Sequence, residues 1–130
     1  MAQQTILVVE DSLPNLEFVE EVLQAQGYEV LRATDGLAAL QAVRWRHPDL
    51  ILLDIGIPGM HGEELARRLK SDPATRRIPL VALTAYAMPG DREKILAAGC
   101  DAYISKPINI QGFLREVQRH LHTGEPAGAS

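Results

Sequence analysis

Five polar residues stand where short, strand-like runs end: Glu10 and Asp11 after Thr5 to Val9, Asp54 after Leu50 to Leu53, Thr84 after Leu80 to Leu83, and Lys106 after Ala102 to Ser105. Singly they say little. An acid after a strand is most often a turn former or helix cap, a lysine is usually a surface charge, and a strand-end threonine usually bonds neighbouring backbone. A parallel sheet, however, brings the carboxyl ends of its strands to one edge, where ligands bind. Three carboxylates would then crowd together. Two unit charges about 5 Å apart at an effective dielectric near 20 repel by roughly 3 kcal/mol, so the cluster calls for a cation. An all-oxygen acidic site with few protein ligands suits Mg²⁺, which keeps several waters and bridges carboxylates to phosphoryl groups. Metal, ammonium and hydroxyl are also the parts of phosphoryl transfer, whose catalysis is mostly positioning and charge neutralisation. Asp54 can serve as the nucleophile and form an acyl phosphate.

The elements that must position these groups alternate along the chain. Thr5 to Val9 is a short β-branched run; Ser12 suits a helix cap and Pro14 its first turn, with Leu16, Val19 and Leu23 on one face until Gly27. Tyr28 to Ala33 reads as a second strand. Asp35-Gly36 opens a helix with Leu37, Leu40, Ala42 and Val43 on its apolar side, ending before His47-Pro48 because a residue preceding proline avoids the α region. Leu50 to Asp54 is too short for a typical helix and reads as a strand buried on both faces. Glu63 to Lys70 forms the next helix through Leu65, Ala66 and Leu69, and Ser71 to Arg77 is a polar connection. After the strand at Leu80 to Leu83, a helix from Gly90-Asp91 carries Ile95 and Leu96 and stops at Gly99. Ala102 to Ser105 is the fifth strand, and Asn109 caps a last helix bearing Phe113, Leu114, Val117 and Leu121. Strand-helix alternation of this kind predicts an α/β fold, a doubly wound five-stranded parallel sheet flanked by five helices.

The totals bound the function. A chain of 130 residues has room for one domain, here residues 5–122, followed by a small polar tail at 123–130 expected to be disordered. The net charge of −4 argues against nucleic acid, and the only basic clusters, Arg67-Arg68 and Arg76-Arg77, read as solvated surface. The single cysteine, Cys100, cannot form an internal disulfide and fits a reducing cytoplasm. The amino terminus has neither a basic region nor an apolar run long enough for a signal or a membrane span, so no membrane partner is expected.

With Glu10-Asp11, Asp54, Thr84 and Lys106 in place, the chain resembles the receiver domain of bacterial two-component response regulators from about Thr5 to His122. The resemblance implies a sheet order of 2-1-3-4-5, Mg²⁺ held by Glu10, Asp11, Asp54 and the backbone carbonyl of Gly56, and phosphorylation on Asp54. It makes Thr84 the switch hydroxyl, Lys106 the phosphoryl contact and Tyr103 the aromatic switch residue. Pro58 and Gly62 match the loop after the site, Gly56 and Tyr86 the positions that tune phosphoryl lifetime, and Lys106-Pro107 a bond usually cis in the family. Glu10 departs from the commoner aspartate, and its longer side chain is expected to act through a metal-bound water. The implied partners are a histidine kinase or histidine phosphotransfer protein, docking near Leu13, Pro14 and Phe18, and a downstream protein on the face of the fourth helix, fifth strand and fifth helix. Beyond transferring phosphate to and from itself, such a protein is not an enzyme.

Leu83 to Ile108 is similar to single-domain cell-cycle regulators of the DivK type, and the absence of an output module after the last helix predicts signalling by protein contact. A receiver module cut from a hybrid kinase or larger regulator would share the chemistry; Met1 and the tail weigh for a complete chain. A haloacid-dehalogenase-like hydrolase would need a second aspartate where Gly56 stands. A flavodoxin-like electron carrier would need a Ser/Thr/Gly-rich phosphate loop where Glu-Asp-Ser-Leu-Pro-Asn would repel a flavin phosphate.

Overall fold

Apolar runs of four or five residues set the layout of the computed structural model, which describes residues 3–55, 62–84, 90–106 and 108–123. The strands are β1 (Thr5–Val9), β2 (Glu29–Ala33), β3 (Leu50–Asp54), β4 (Leu80–Thr84) and β5 (Ala102–Ser105). Between and after them run α1 (Leu13–Ala25), α2 (Gly36–Trp45), α3 (Gly62–Ser71), α4 (Asp91–Ala97) and α5 (Ile110–Thr123). All pairings are parallel, as the strand-helix alternation predicts, and the strand order is β2-β1-β3-β4-β5, as the resemblance implies.

The three inner strands read as unbroken apolar runs because both of their faces are covered. Leu7, Val9, Ile51, Leu53, Leu80 and Ala82 face α2, α3 and α4, while Ile6, Val8, Leu50, Leu52, Val81 and Leu83 face α1 and α5. The helices answer with stripes at helical spacing: Leu16, Val19 and Leu23 from α1, Leu65, Ala66 and Leu69 from α3, and Phe113, Val117 and Leu121 from α5.

Several expectations need correcting. Leu37 is 63 % exposed; the buried stripe of α2 is Gly36, Ala39 and Val43, with Leu40 and Ala42 on its flank. Asp35 sets that phase by capping the helix through the Ala38 amide (2.8 Å), which turns Leu37 about 100° away from the stripe. Leu96 on α4 is likewise exposed, leaving Ile95 and Ala98 to pack. Ser12 occupies the cap position of α1 without a side-chain cap bond; its amide instead donates to Glu10 Oε2 (3.2 Å). Tyr28 precedes β2 and packs against the α1/α5 layer. Thr123 closes α5 rather than starting a tail, and residues 124–130 lie outside the described residues.

Two glycines permit close approaches that fix the site's supports. A Cβ on Gly62 would sit 2.7 Å from the Ile55 Cα, so the start of α3 can press against the end of β3 only with glycine there. Gly99 holds φ at +114°, and a Cβ there would meet Lys70 Cγ at 2.7 Å. The Lys70 ammonium in turn bonds the Arg76 and Ile78 carbonyls (3.2 and 3.0 Å) and Asp101 (3.0 Å), tying α3 to the chain entering β4 and β5.

Cys100 is buried between Gly99 and β5, and burial pushes its thiol up to about 12. At pH 8 that leaves roughly a thousandfold less thiolate than an ordinary cysteine has, and the thiolate is the nucleophile. The native protein is therefore expected to react with a disulfide reagent at least ~10³-fold more slowly than the urea-unfolded chain, followed by release of the coloured thiol.

Candidate functional site

Strand register brings the polar strand ends together. Val9 pairs with Leu53 and Asp54 with Leu83, so Glu10 lies beside Asp54, and Thr84 follows one residue beyond Leu83. Thr84 pairs with Ser105, and its carbonyl accepts the Lys106 amide (2.8 Å), which carries Lys106 to the same edge. One carboxylate oxygen each from Glu10, Asp11 and Asp54 lies within 4.8 Å of the others.

Lys106 is the local counter-ion. Its ammonium stands 3.0 Å from Glu10 Oε1 and 3.3 Å from Asp54 Oδ2. Burial works against its charge, but Glu10 and Asp54 outweigh that and hold its pKa above the ordinary lysine value. Glu10 is the deep member of the set, only 1 % exposed. Burial and the neighbouring Asp54 carboxyl push Glu10 up to about 7, against the downward pull of Lys106 and the Ser12 amide. Two opposite causes thus meet on one side chain: a single lysine is too little positive charge for three carboxylates, and the site is short of a cation. Asp11 is exposed at the rim.

The donor set fits a hard divalent cation. It is all oxygen, offers three carboxyl groups, and opens to water on the Asp11 side. Cis oxygens in an octahedral Mg²⁺ shell at about 2.1 Å stand about 3 Å apart, so oxygens within 4.8 Å of one another need close by no more than about 1.8 Å to share one shell. Lys106 contacts both Glu10 and Asp54, but Glu10 is the more deeply buried, which leaves Asp11 and Asp54 as the more accessible oxygens for the ion.

Thr84 is buried at the end of β4, two strands from Glu10 in the sheet. Tyr103 pairs with Ala82 on β5, is half-buried, and packs against the α2/α3/α4 layer. It also lines a cleft with Leu96 of α4 and Glu116 and His120 of α5, the face singled out by the resemblance. Gly56, Pro58, Tyr86 and Pro107, with the geometry of the Lys106-Pro107 bond, lie outside the described residues.

Two features escaped the sequence reading. A groove of about 370 Å³ runs from Glu10 and Lys106 along Asn15, Phe18, Val19 and Ile108. Phe18 stands with Leu13 and Pro14 as a docking candidate in the chain, but Asn15 and Ile108 come together only through the placement of α1 against the segment entering α5. The second is His120, buried with its Nε2 3.5 Å from Glu116 Oε2. Its signal was present: residue 120 lies two turns after Phe113, on the edge of the α5 stripe.

This fold and this edge of acids with an opposed lysine define a receiver domain. The response regulator receiver domain family matches residues 6–118, and the chain belongs to it. Among its relatives is the polar-differentiation response regulator DivK of Brucella ovis, 43 % identical over 118 residues that cover 91 % of this chain and 96 % of the relative. The DivK of Brucella anthropi is 42 % identical over the same span. A similar solved structure is the receiver domain of the sensor histidine kinase PA1611 from Pseudomonas aeruginosa, with a magnesium ion coordinated in its active-site cleft. It is 36 % identical, has a TM-score of 0.86, and covers 93 % of this chain and 99 % of its own. The chemotaxis response regulator CheY4 of Vibrio cholerae, 29 % identical, also has a TM-score of 0.86, over 92 % of this chain and 99 % of its own. The hydrolase and electron-carrier readings are thereby excluded. No helix among the described residues is long and apolar enough to cross a membrane.

Proposed function

We propose that the domain formed by residues 5–122 is a cytoplasmic phosphoacceptor that takes a phosphoryl group on Asp54 from a phosphohistidine of a histidine kinase or phosphotransfer protein. One observation carries this: Asp54 lies between two other carboxylates and the Lys106 ammonium, where an incoming phosphoryl group would find both a nucleophile and charge compensation. An Asp54 carboxylate oxygen forms the new bond to phosphorus as the bond to the donor's imidazole nitrogen breaks, and that nitrogen takes up a proton. Glu10, Asp11, Asp54 and the Gly56 carbonyl would hold a Mg²⁺ ion, which would supply charge neutralisation at the phosphoryl oxygens. Lys106 holds one of those oxygens and Thr84 donates to another. The added charge, roughly −1.5 to −2, favours the arrangement in which these contacts are made. Tyr103 then repacks and alters the α4, β5 and α5 surface read by a downstream protein. Pro107 sets the direction of Lys106, Pro58 shapes the loop beyond the site, and Gly56 and Tyr86 tune the phosphoryl lifetime.

The test is intact-mass spectrometry after incubation with acetyl phosphate, with Mg²⁺ or with a chelator, followed by peptide mapping. One added phosphoryl group on Asp54 that needs the metal supports the reading; no gain, or a gain elsewhere, overturns it. A module of a hybrid kinase is the second reading, favoured by the likeness to the Pseudomonas kinase receiver, and differs in output rather than in chemistry.

Metal binding is open to a separate check. A ligand that binds only the folded state at ten times its Kd adds about 1.4 kcal/mol of stability. Melting curves are therefore expected to move upward through a MgCl₂ series and not through matched NaCl. Asp11→Asn, an exposed change, should leave the metal-free melt nearly unaltered while weakening the Mg²⁺ response by tenfold or more in concentration.

A further inference from the structure

Basic residues concentrate in two segments of the chain. Residues 44–49 and 67–77 hold seven of the 13 lysines and arginines but two of the 17 acids, so they carry +5 while the remainder of the chain carries −9. These segments are neighbours in space: the Ile51 amide donates to the Pro79 carbonyl (3.0 Å), and a cleft of about 300 Å³ at the sheet's amino-terminal edge is lined by His47 and Asp49 from one and Arg77 from the other.

The two acids are already counted in that sum, and three further acids from outside the segments lower the net charge at this edge to +2. Asp49 accepts the Thr5 amide (2.7 Å) and Asp72 the Ala74 amide (2.9 Å). Arg46, Arg68 and Lys70 are spent on Glu29, Glu64 and Asp101. Arg44, Arg67, Arg76 and Arg77 are exposed, and among the described residues none of them forms an ion pair. The chain's single tryptophan, Trp45, stands 75 % exposed at the same end of α2, with the Arg46 guanidinium over its ring at 5.9 Å.

We propose that this edge is a docking surface for a short acidic protein segment, one rich in Asp and Glu. It lies across the sheet from Asp54, so a partner can be held here while the phosphoryl chemistry proceeds at the other end. Complementarity selects a local polyanion over an extended one. A DNA duplex, with a charge every ~1.7 Å, or an anionic bilayer would also confront the strongly acidic remainder of the protein. A bilayer anchor would further need an apolar face, and Trp45 is the only large apolar side chain exposed in these segments. A segment whose acids sit within the span of the four arginines meets a net attraction, and attraction of this kind raises the association rate and weakens with salt.

The test uses the full chain and three probes: an oligoglutamate peptide, vesicles of phosphatidylglycerol and phosphatidylcholine, and duplex DNA, followed by Trp45 fluorescence and by anisotropy of labelled peptide. Peptide binding is expected, weakened about tenfold or more by Arg76→Glu with Arg77→Glu. The pair Lys94→Glu with Arg115→Glu, the same change of net charge on exposed sites elsewhere, should leave it nearly unaltered. Circular dichroism and melting of both double variants establish that they fold. Absence of peptide binding, equal weakening by the two double variants, or tighter binding of vesicles or DNA than of peptide overturns the proposal.

Discussion

Replacing Asp54 with Asn is expected to abolish phosphoryl uptake and, in the metal-free protein, to raise stability. The first effect is chemical. The amide is nearly isosteric with the carboxylate, but its oxygen is not the anionic nucleophile that an acyl phosphate requires. The second has the opposite sign from most substitutions, which destabilise by about 1 kcal/mol. Three carboxylates share one ammonium at this edge, and removing one leaves two. The repulsion relieved is bounded above by roughly 3 kcal/mol per pair and offset by the lost contact to Lys106, so about 1 kcal/mol of net gain is expected. In a chain of this size that is a rise of roughly 3 to 5 °C in Tm.

The gain has a pH signature through Glu10, whose carboxyl is raised from 4.5 to about 7 by burial and by Asp54. Below 4.5 it is protonated in both states and contributes no difference. Between 4.5 and 7 the folded state holds the proton more tightly than the unfolded chain, so stability falls as pH rises through that window. Asp54→Asn removes one cause of the shift. The variant's advantage over the parent should therefore be largest near pH 8 and shrink toward pH 5, as melts across the range would read out. An equal advantage at both ends would mean that Glu10 is not the group responsible.

The architecture was legible because its signals are local. Short runs such as Leu50–Leu53 and Leu80–Leu83 can be apolar throughout only if both faces are covered, and that condition implies a parallel sheet between helices. Once the sheet is parallel, the meeting of Glu10, Asp11, Asp54 and Lys106 follows from topology. Phase was harder. Leu37 lies a single residue from the buried Gly36, and only the Asp35 cap decides which of them faces the sheet. Harder still were features that depend on which distant segments become neighbours. Arg67-Arg68 and Arg76-Arg77 each look like ordinary solvated pairs in the chain. They become part of one basic edge only when the β3–β4 pairing brings residues 44–49 alongside. Likewise nothing near Glu10 announces that it is buried against a lysine 96 positions away.

Phe113→Ala is expected to be among the most damaging single substitutions, at about 3 to 5 kcal/mol. Phe113 is 1 % exposed and the largest of the fully buried side chains among the described residues, packed from α5 onto the layer formed by Ile6, Val8, Leu52, Val81 and Leu83. Those residues lie on rigid inner strands covered on both faces, so the neighbourhood cannot collapse into the space, and the cavity term adds to the lost transfer energy. Against a typical total of 5 to 15 kcal/mol, a loss of this size lowers Tm by roughly 10 to 20 °C. Denaturant unfolding should show a lower midpoint with an unchanged slope, since the surface exposed on unfolding is nearly the same. Phe113→Leu keeps most of the volume and should recover more than half of the loss. The consequence reaches the site because Asn109, three residues after Lys106, caps the start of α5 through the Gly112 amide (2.9 Å), and Phe113 donates its amide to the Asn109 carbonyl (2.8 Å). Loosening α5 frees the segment that aims Lys106 at Glu10 and Asp54. Phosphoryl uptake by Phe113→Ala should therefore fall well below its own melting temperature, whereas a purely global destabilisation would leave uptake intact until the protein unfolds.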